Sequence, residues 1–512
     1  MSFADALARV PPLLAAHVLL AAAALALGVL ISLPLAVWSA RRPVVARAAL
    51  GLASLVQTIP ALALLALFYP ILLSLAWLGV PALGFLPSLL ALTLYAVLPI
   101  LRNGVAGLTG LDPAVREAAD AVGMTAAQKL RLVEAPLALP VVVAGIRTAA
   151  VWTVGAATLS TTVGAASLGD LIFAGLQTQN WALVLAGCLA AAALALAADG
   201  LIGLVERGIR ERRRWLWAGA LAVLAGGVLA ATPPLWARPE RTVVVGAKNF
   251  SEQFILARLI GARLERAGYR VEYRDGLGSA VIYRALSGGD VDVYVDYAGT
   301  IWTNEMRRTD VPPPAAMVRA IADWAGRTGV RLVGPLGFEN AYAFAMRGND
   351  ARAQGIRTLA DLAAASPGLT LGSDLEFLER PEWAAVRRAY PMRFRAARPY
   401  SPTFMYRALQ SGEADVISAF SSDGRIAADG LTVLTDPKRA IPGYDAILLV
   451  APERAGDARL LAALRPLIGR IPVELMRAAN HQVDRDADKR SSEQAARWLE
   501  EQLADREPEG PT

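Results

Sequence analysis

The sequence predicts an all-α polytopic membrane portion followed by a two-lobed α/β portion outside the lipid. Three observations carry this expectation. Residues 11–236 hold several long apolar runs nearly free of charge, whereas residues 240–512 have an ordinary soluble mixture rich in Asp, Glu and Arg. Within the soluble part, stretches with a strand period alternate with stretches of helical period. The segment "YRALSGGDVDVYVDY" at 283–297 returns without a gap as "YRALQSGEADVISAF" at 406–420, as two related lobes would require.

A chain of 512 residues exceeds what one core organises, and 55% hydrophobic residues with a mean hydropathy of +0.41 place part of it in lipid. The net charge of +6 and pI near 9.5 would suit a nucleic-acid binder. The arginines are instead spread out or sit at the ends of apolar runs, which excludes that class. The one cysteine, Cys188, lies in an apolar run, so the polar half has no disulfide. The only two histidines, His17 and His481, form no cluster with other ligating or nucleophilic residues, so neither an enzyme, a metal site nor a cofactor is expected.

A bilayer core of about 30 Å takes about 20 apolar helical residues. Six segments fit, near 13–40, 49–78, 83–101, 136–162, 180–204 and 215–236. The second holds Pro60 and Pro70 and is expected to be kinked or re-entrant. The basic stretches "ARRPVVAR" at 40–47, Arg102 with the polar loop after it, and "ERGIRERRR" at 206–214 lie at alternate connections. If these face the cytoplasm, the N-terminus is outside and the sixth span delivers the polar domain to the extracytoplasmic side.

Between the third and fourth spans, "EAADAVGMTAAQKLRLVEAPLALP" at 117–140 has the pattern of two short helices. Glu117, Ala118 and Ala119 fall on the first, Gly123 breaks it, and Pro136 and Pro140 restart a membrane helix. Read from the residues alone, this is a polar connector or a docking surface. The order Glu-Ala-Ala, then Gly, then Leu-Pro resembles the coupling loop of ABC importer permeases. That resemblance implies a type I permease fold and docking on a separate ATP-binding subunit through Glu117, Ala118, Ala119 and Gly123. No G-x-x-x-x-G-K-[ST] stretch is present to hold ATP in this chain.

The polar part alternates "TVVVGA" at 242–247, a helix over 252–267, "RVEYRD" at 270–275, a helix near 279–288 and "VDVYVDY" at 291–297, with similar alternation from 369 to 451. This predicts two mostly parallel sheets whose strand ends place Tyr297 and Phe420 toward a shared cleft, or else two rings that fill their own lobes. "GAKNFSEQFIL" (246–256), "DYAGT" (296–300), "GFENAY" (337–342), "FLERPEW" (377–383), "SSDGRI" (421–426) and "IPGYDAI" (441–447) occur in this order. Together they resemble the binding proteins of the glycine betaine, choline and proline betaine importers, a type II periplasmic-binding-protein fold.

The chain therefore resembles a permease–receptor fusion of osmoprotectant uptake, with the permease at 1–214, an extra helix and linker at 215–241 and the receptor at 242–507. The resemblance implies an aromatic cage for a quaternary ammonium at Tyr297, Tyr342, Phe420 and Tyr444. A trimethylammonium group has no hydrogen-bonding atoms, and π faces attract it at low desolvation cost. The ligand carboxylate would meet Lys248 and Arg380, with a hydroxyl from Thr300. Phe stands at 420 where the family usually has Tyr, and Asp445 follows Tyr444 at a position often aromatic in the family. An acid there could hydrogen-bond a larger betaine such as ergothioneine. The implied assembly is a homodimer with two ATPase copies in the cell membrane. A ligand sensor or gated channel with no ATPase is the alternative of another class.

Overall fold

The computed structural model describes residues 3–75, 78, 80–178, 180–232, 242–374, 377–400, 402–485 and 488–505. They form two compact units, one mainly from residues 2–173 and 182–238, the other mainly from 239–512.

Among the described residues of the first unit, five helices are long and apolar enough to cross a membrane: Phe3–Arg41, Phe85–Thr109, Ala126–Val163, Trp181–Arg210 and Arg214–Ala231. A sixth crossing can be made by Pro43–Thr58 with Ala61–Ser74, which meet at 101° across Ile59 and Pro60. The expected kink of the second span is this bend. Pro136 and Pro140 do not restart a helix, contrary to expectation. The helix runs on from Ala126 through a π turn at Leu130–Glu134, where the Ala135 amide bonds the Leu130 carbonyl. That wider turn directly precedes Pro136, whose missing N–H would leave a gap in a regular ladder.

Small residues set the helix spacing. A methyl on Gly28 would lie 2.8 Å from Ala96 Cβ, one on Gly104 2.7 Å from Ala36 Cβ, and one on Gly145 2.6 Å from Asn103 Cβ. The backbones of three helices thus touch where side chains are absent, the packing mode lipid-embedded helices rely on. Arg147 donates from Nε and Nη2 to both Asp199 oxygens at 2.6 Å, tying helix 135–157 to helix 181–210.

The second unit holds two five-stranded sheets. The first has the order β2-β1-β3-β10-β4, from Thr242–Lys248 (β1), Arg270–Leu277 (β2), Val293–Tyr297 (β3), Arg331–Glu339 (β4) and Asp445–Val450 (β10). The second has the order β7-β6-β8-β5-β9, from Tyr342–Arg347 (β5), Thr370–Asp374 (β6), Ala396–Tyr400 (β7), Val416–Phe420 (β8) and Leu431–Val433 (β9). The repeat at 283–297 and 406–420 is visible as equivalent strands, since β3 and β8 occupy the same place in each order. The sheets are mostly parallel, as expected: four of the five strands in each run the same way, and one in each is reversed. β1, β2 and β3 are parallel, as are β6, β7 and β8, but β10 and β5 run antiparallel to both their neighbours.

The reason lies in the chain path. β5 follows β4 of the first lobe yet joins the second sheet, and β10 follows β9 of the second lobe yet joins the first. The chain crosses between lobes at 340–341 and again at 434–444. Lobe one is closed by Ser251–Arg266, on which the C-terminal helices Val473–Asp484 and Ser492–Ala504 pack through Leu475, Met476, Ala495 and Leu499. Arg258 and Arg263 bond Glu493 and Glu500 at 3.1 and 3.0 Å across that contact.

Gly104→Leu is expected to lower the thermal midpoint of the detergent-solubilised protein, because the side chain must enter the space of Ala36. Gly51→Ala, with nothing within 4 Å of the new methyl, is the tolerated control. Equal midpoints for the two would contradict the close helix crossing.

Candidate functional site

β3 ends at Tyr297 and β8 ends at Phe420, the last positions of the two repeat copies. The crossing strands bring the other two rings to them. Tyr342, the first residue of β5, lies opposite Phe420 in the antiparallel ladder. Tyr444 lies two residues before Ala446, which is opposite Tyr297, and its carbonyl accepts from the Asn340 amide at 2.9 Å. Four rings expected from sequence thus converge from four segments.

They form a contiguous cluster. Ring centroids are 4.9 Å apart for Tyr342 and Phe420 and 6.0 Å, edge-on, for Tyr342 and Tyr444. Phe250 completes the series, stacked on Tyr297 at 6.1 Å and on Phe420 at 6.4 Å with planes 1° apart. Phe250 stands just before the helix at Ser251, inside the quoted "KNFSEQ"; an aromatic side chain at a helix entry was the signal that could have found it. These are direct ring–ring contacts. Phe250 and Phe420 keep part of their surface open, while Tyr297, Tyr342 and Tyr444 are buried.

Buried acids orient the tyrosines. The Tyr297 hydroxyl donates to Glu252 Oε1 at 2.6 Å and accepts from Gln253 Nε2 at 2.9 Å. The Tyr444 hydroxyl donates to Glu382, which also accepts from Thr303 Oγ1 at 3.1 Å. Burial first, and then the neighbouring carboxylate, raises both phenols well above their ordinary range. The Tyr444 ring lies over Gly299, where a methyl would come within 2.6 Å of it. Thr300 is buried in the turn Ala298–Thr300 that follows.

The two cations expected to meet a carboxylate are engaged within the protein. Lys248 Nζ is 2.5 Å from Asp296 Oδ1, both side chains buried, and Asp296 also accepts from the Tyr294 hydroxyl at 2.6 Å and the Tyr297 amide at 2.7 Å. Lys248 thus neutralises a buried acid, with its Nζ 5.3 Å from the Tyr297 ring centroid. Arg380 caps the helix Pro381–Ala389, with its guanidinium 5.5 Å from the Tyr342 centroid and Nη1 3.8 Å from Glu382. It stays beside the cluster. Asp445 opens β10 opposite Glu339, half-buried, and burial raises its carboxyl.

A cavity of about 60 Å³ lies between the lobes, and of the residues expected from sequence only Phe420 lines it. Its wall carries three acids, Glu252, Asp423 and Asp484, one cation, Arg425, and the ring faces of Phe250 and Tyr406. One face of the helix 473–484 receives the loop after β8 there. Arg477 Nε bonds the Ser421 carbonyl at 2.8 Å and Asn480 Nδ2 the Ser422 carbonyl at 3.0 Å. Arg425 Nη2 bonds the Asp484 carbonyl at 2.8 Å, and a methyl on Gly424 would meet His481 Cβ at 2.6 Å. Positions 477, 480, 481 and 484 form a single helical stripe, so this contact latches lobe two to lobe one.

In the membrane unit, Glu117, Ala118 and Ala119 lie on helix Pro113–Ala121, whose N-cap Asp112 accepts from the Ala114 amide at 2.9 Å. Gly123 takes φ +76°, a left-handed conformation that ends this helix, and Thr125 with Gln128 forms a capping box for the next. Glu117, Ala118 and Gly123 are exposed, while Ala119 is buried and supports the loop from within. Val122 and Leu132 are 72% and 67% exposed, which gives this loop an apolar outer surface.

Two outcomes follow. Lys248→Ala should destabilise the protein by about 3–5 kcal/mol in denaturant unfolding, because Asp296 would remain buried without its cation; a change under about 0.5 kcal/mol would mean a solvated lysine. Asp484 is pushed up to about 7 by burial and then by the Asp423 charge, against the Ser251 hydroxyl, Arg425 and Lys489. Between about pH 4 and that value the folded protein holds a proton that the unfolded chain has released, so stability falls as pH rises through this window. Asp484→Asn should remove that downward slope in unfolding measured from pH 5 to 8, and an unchanged slope would place the titration elsewhere.

Residues 241–501 match the family described as the substrate binding domain of the ABC-type glycine betaine transport system. Residues 28–211 match the binding-protein-dependent transport system inner membrane component. The chain is 30% identical over 455 residues to the ergothioneine transport permease/ergothioneine binding protein EgtU of Helicobacter pylori (strain G27), covering 85% of this chain and 80% of that one. It is 39% identical over 191 residues to the choline transport system permease protein OpuBB of Bacillus subtilis (strain 168), covering 37% and 84%. It is 40% identical over 199 residues to the osmoprotectant import permease protein OsmW of Salmonella typhimurium, covering 38% and 91%.

Proposed function

Since the chain belongs to the family of ABC importers with a glycine betaine-type receptor, carrying permease and receptor in one polypeptide, we propose that it takes up a trimethylammonium betaine. It lies in the inner membrane with its receptor domain extracytoplasmic. The observation that carries the reading is the ring cluster of Phe250, Tyr297, Tyr342, Phe420 and Tyr444, built at the ends of strands from both lobes. Several π faces and nearby buried acids suit a cation that cannot hydrogen-bond. Because the rings touch one another, a cation enters on the open flank of Phe250 and Phe420 or parts the stack. The betaine carboxylate then falls to Arg380 or to Arg425 rather than to Lys248.

A second reading, ergothioneine, is favoured by the likeness to EgtU over 85% of this chain, spanning permease and receptor alike. Uptake needs ATP hydrolysis, and the loop at 113–134 offers the docking surface for a separate ATPase through Glu117, Ala118, Val122 and Leu132. The assembly we propose is a homodimer with two ATPase copies, the permease spanning 1–214, the extra helix and linker 215–241 and the receptor 242–507. A sensor or gated channel would leave that apolar loop surface without a partner.

Phe420→Ala should weaken binding of a quaternary ammonium ligand by full-length protein about tenfold, one lost cation–π contact. Phe420→Tyr should be mild, because the π face survives. Unchanged calorimetric affinity in the alanine variant would make the rings mere core. Glu117→Lys should abolish uptake into vesicles while ligand binding persists, and normal uptake would remove the coupling role.

A further inference from the structure

The interlobe cavity contains an imbalance of hydrogen-bonding groups. Glu252 accepts from the Tyr297 hydroxyl at 2.6 Å, from Asn340 Nδ2 at 3.1 Å and from Asn480 Nδ2 at 2.9 Å. Those contacts fix both amides, since turning either would set its carbonyl against the carboxylate. The carbonyl oxygens of Asn340 and Asn480 are consequently turned away from Glu252, and among the described residues both are buried with no hydrogen-bond partner. The two side chains belong to residues only 6% and 4% exposed, and both line the cavity beside Phe250 and Phe420. Asn340 comes from the lobe crossing and Asn480 from the latch helix, so the two residues stand on opposite supports of one pocket.

A quaternary ammonium cannot satisfy them, because it carries no N–H. The rings serve that end of the ligand, and the acceptors require a donor elsewhere in it. We propose that this pocket selects betaines bearing an N–H or O–H donor of their own, with Asn340 and Asn480 as the residues that determine the choice. The inference rests on the reading that a trimethylammonium ligand binds at these rings. Glycine betaine offers acceptors only, so it would leave both carbonyls unmatched. A betaine with a ring N–H satisfies a carbonyl directly, and a hydroxylated betaine does so with a single donor. Buried acceptors that lose a matched donor discriminate far more strongly than apolar walls do.

The test is calorimetric titration of full-length protein in nanodiscs with three probes that share the trimethylammonium group. Glycine betaine has no donor, carnitine has one hydroxyl and histidine betaine has an imidazole N–H. Histidine betaine is expected to bind about tenfold or more tighter than glycine betaine, with carnitine between. This ranking needs no variant. In Asn340→Ala and Asn480→Ala the advantage of histidine betaine should shrink to within about threefold, while glycine betaine affinity changes less. Glycine betaine binding as tightly as histidine betaine, or an alanine variant that weakens both ligands by the same factor, overturns the selection but leaves betaine uptake standing. If none of the three probes binds, the betaine reading falls and the selection falls with it.

Discussion

The receptor depends on two antiparallel ladders formed by strands that belong, by chain path, to the opposite lobe. β5 pairs with β8 and β10 pairs with β3, and the registers Tyr342 with Phe420 and Ala446 with Tyr297 decide which side chains meet. A one-residue slip in either ladder would turn every alternate side chain to the other face. The rings converge because the crossings are short and paired, with the Asn340 amide bonded to the Tyr444 carbonyl. The lobes are thus joined by the strands that carry the site, and any change in their mutual angle acts on the rings first.

Beneath the rings, acids do the positioning. Asp296 is neutralised by Lys248, Glu252 is held by neutral donors, and Glu382 takes the Tyr444 hydroxyl. Burial raises the Glu252 carboxyl, and hydrogen bonds from Ser422, Tyr297, Asn480 and Asn340 oppose that. Tyrosines tied through their hydroxyls have fixed planes. Phe250 and Phe420 have no such tie and are placed by ring and core packing, and both line the cavity.

Much of this was legible in the sequence. The apolar runs gave the helices because lipid imposes length and composition together, and the bend near Pro60 was visible as an overlong run with two prolines. The repeat located Tyr297 and Phe420 because equivalent strands end at equivalent places. The mostly parallel direction was legible from the strand–helix alternation, whereas the one reversed strand in each sheet was not, since a period of two is the same for both directions. The pairing of Lys248 with Asp296 was not legible, because the two become adjacent only when β1 and β3 pair. Asn480 and Asp484 sit on a helix more than two hundred residues beyond Glu252 and Ser251, and no local pattern marks a helix face that receives a loop from the other lobe. The π turn before Pro136 carries no sequence signal of its own for a related reason: proline announces a break, and the structure meets it with one wider turn.

The last apolar helix, Arg214–Ala231, has a consequence beyond anchoring. It joins the receptor to its permease covalently, through the nine residues 233–241, a length that reaches about 30 Å at full extension. With receptor and permease in one polypeptide, their encounter is intramolecular, so delivery of captured solute does not depend on how much free receptor surrounds the cell. The stoichiometry is fixed at synthesis. Each permease thus carries its own receptor, and dilution of the surrounding medium cannot separate the two.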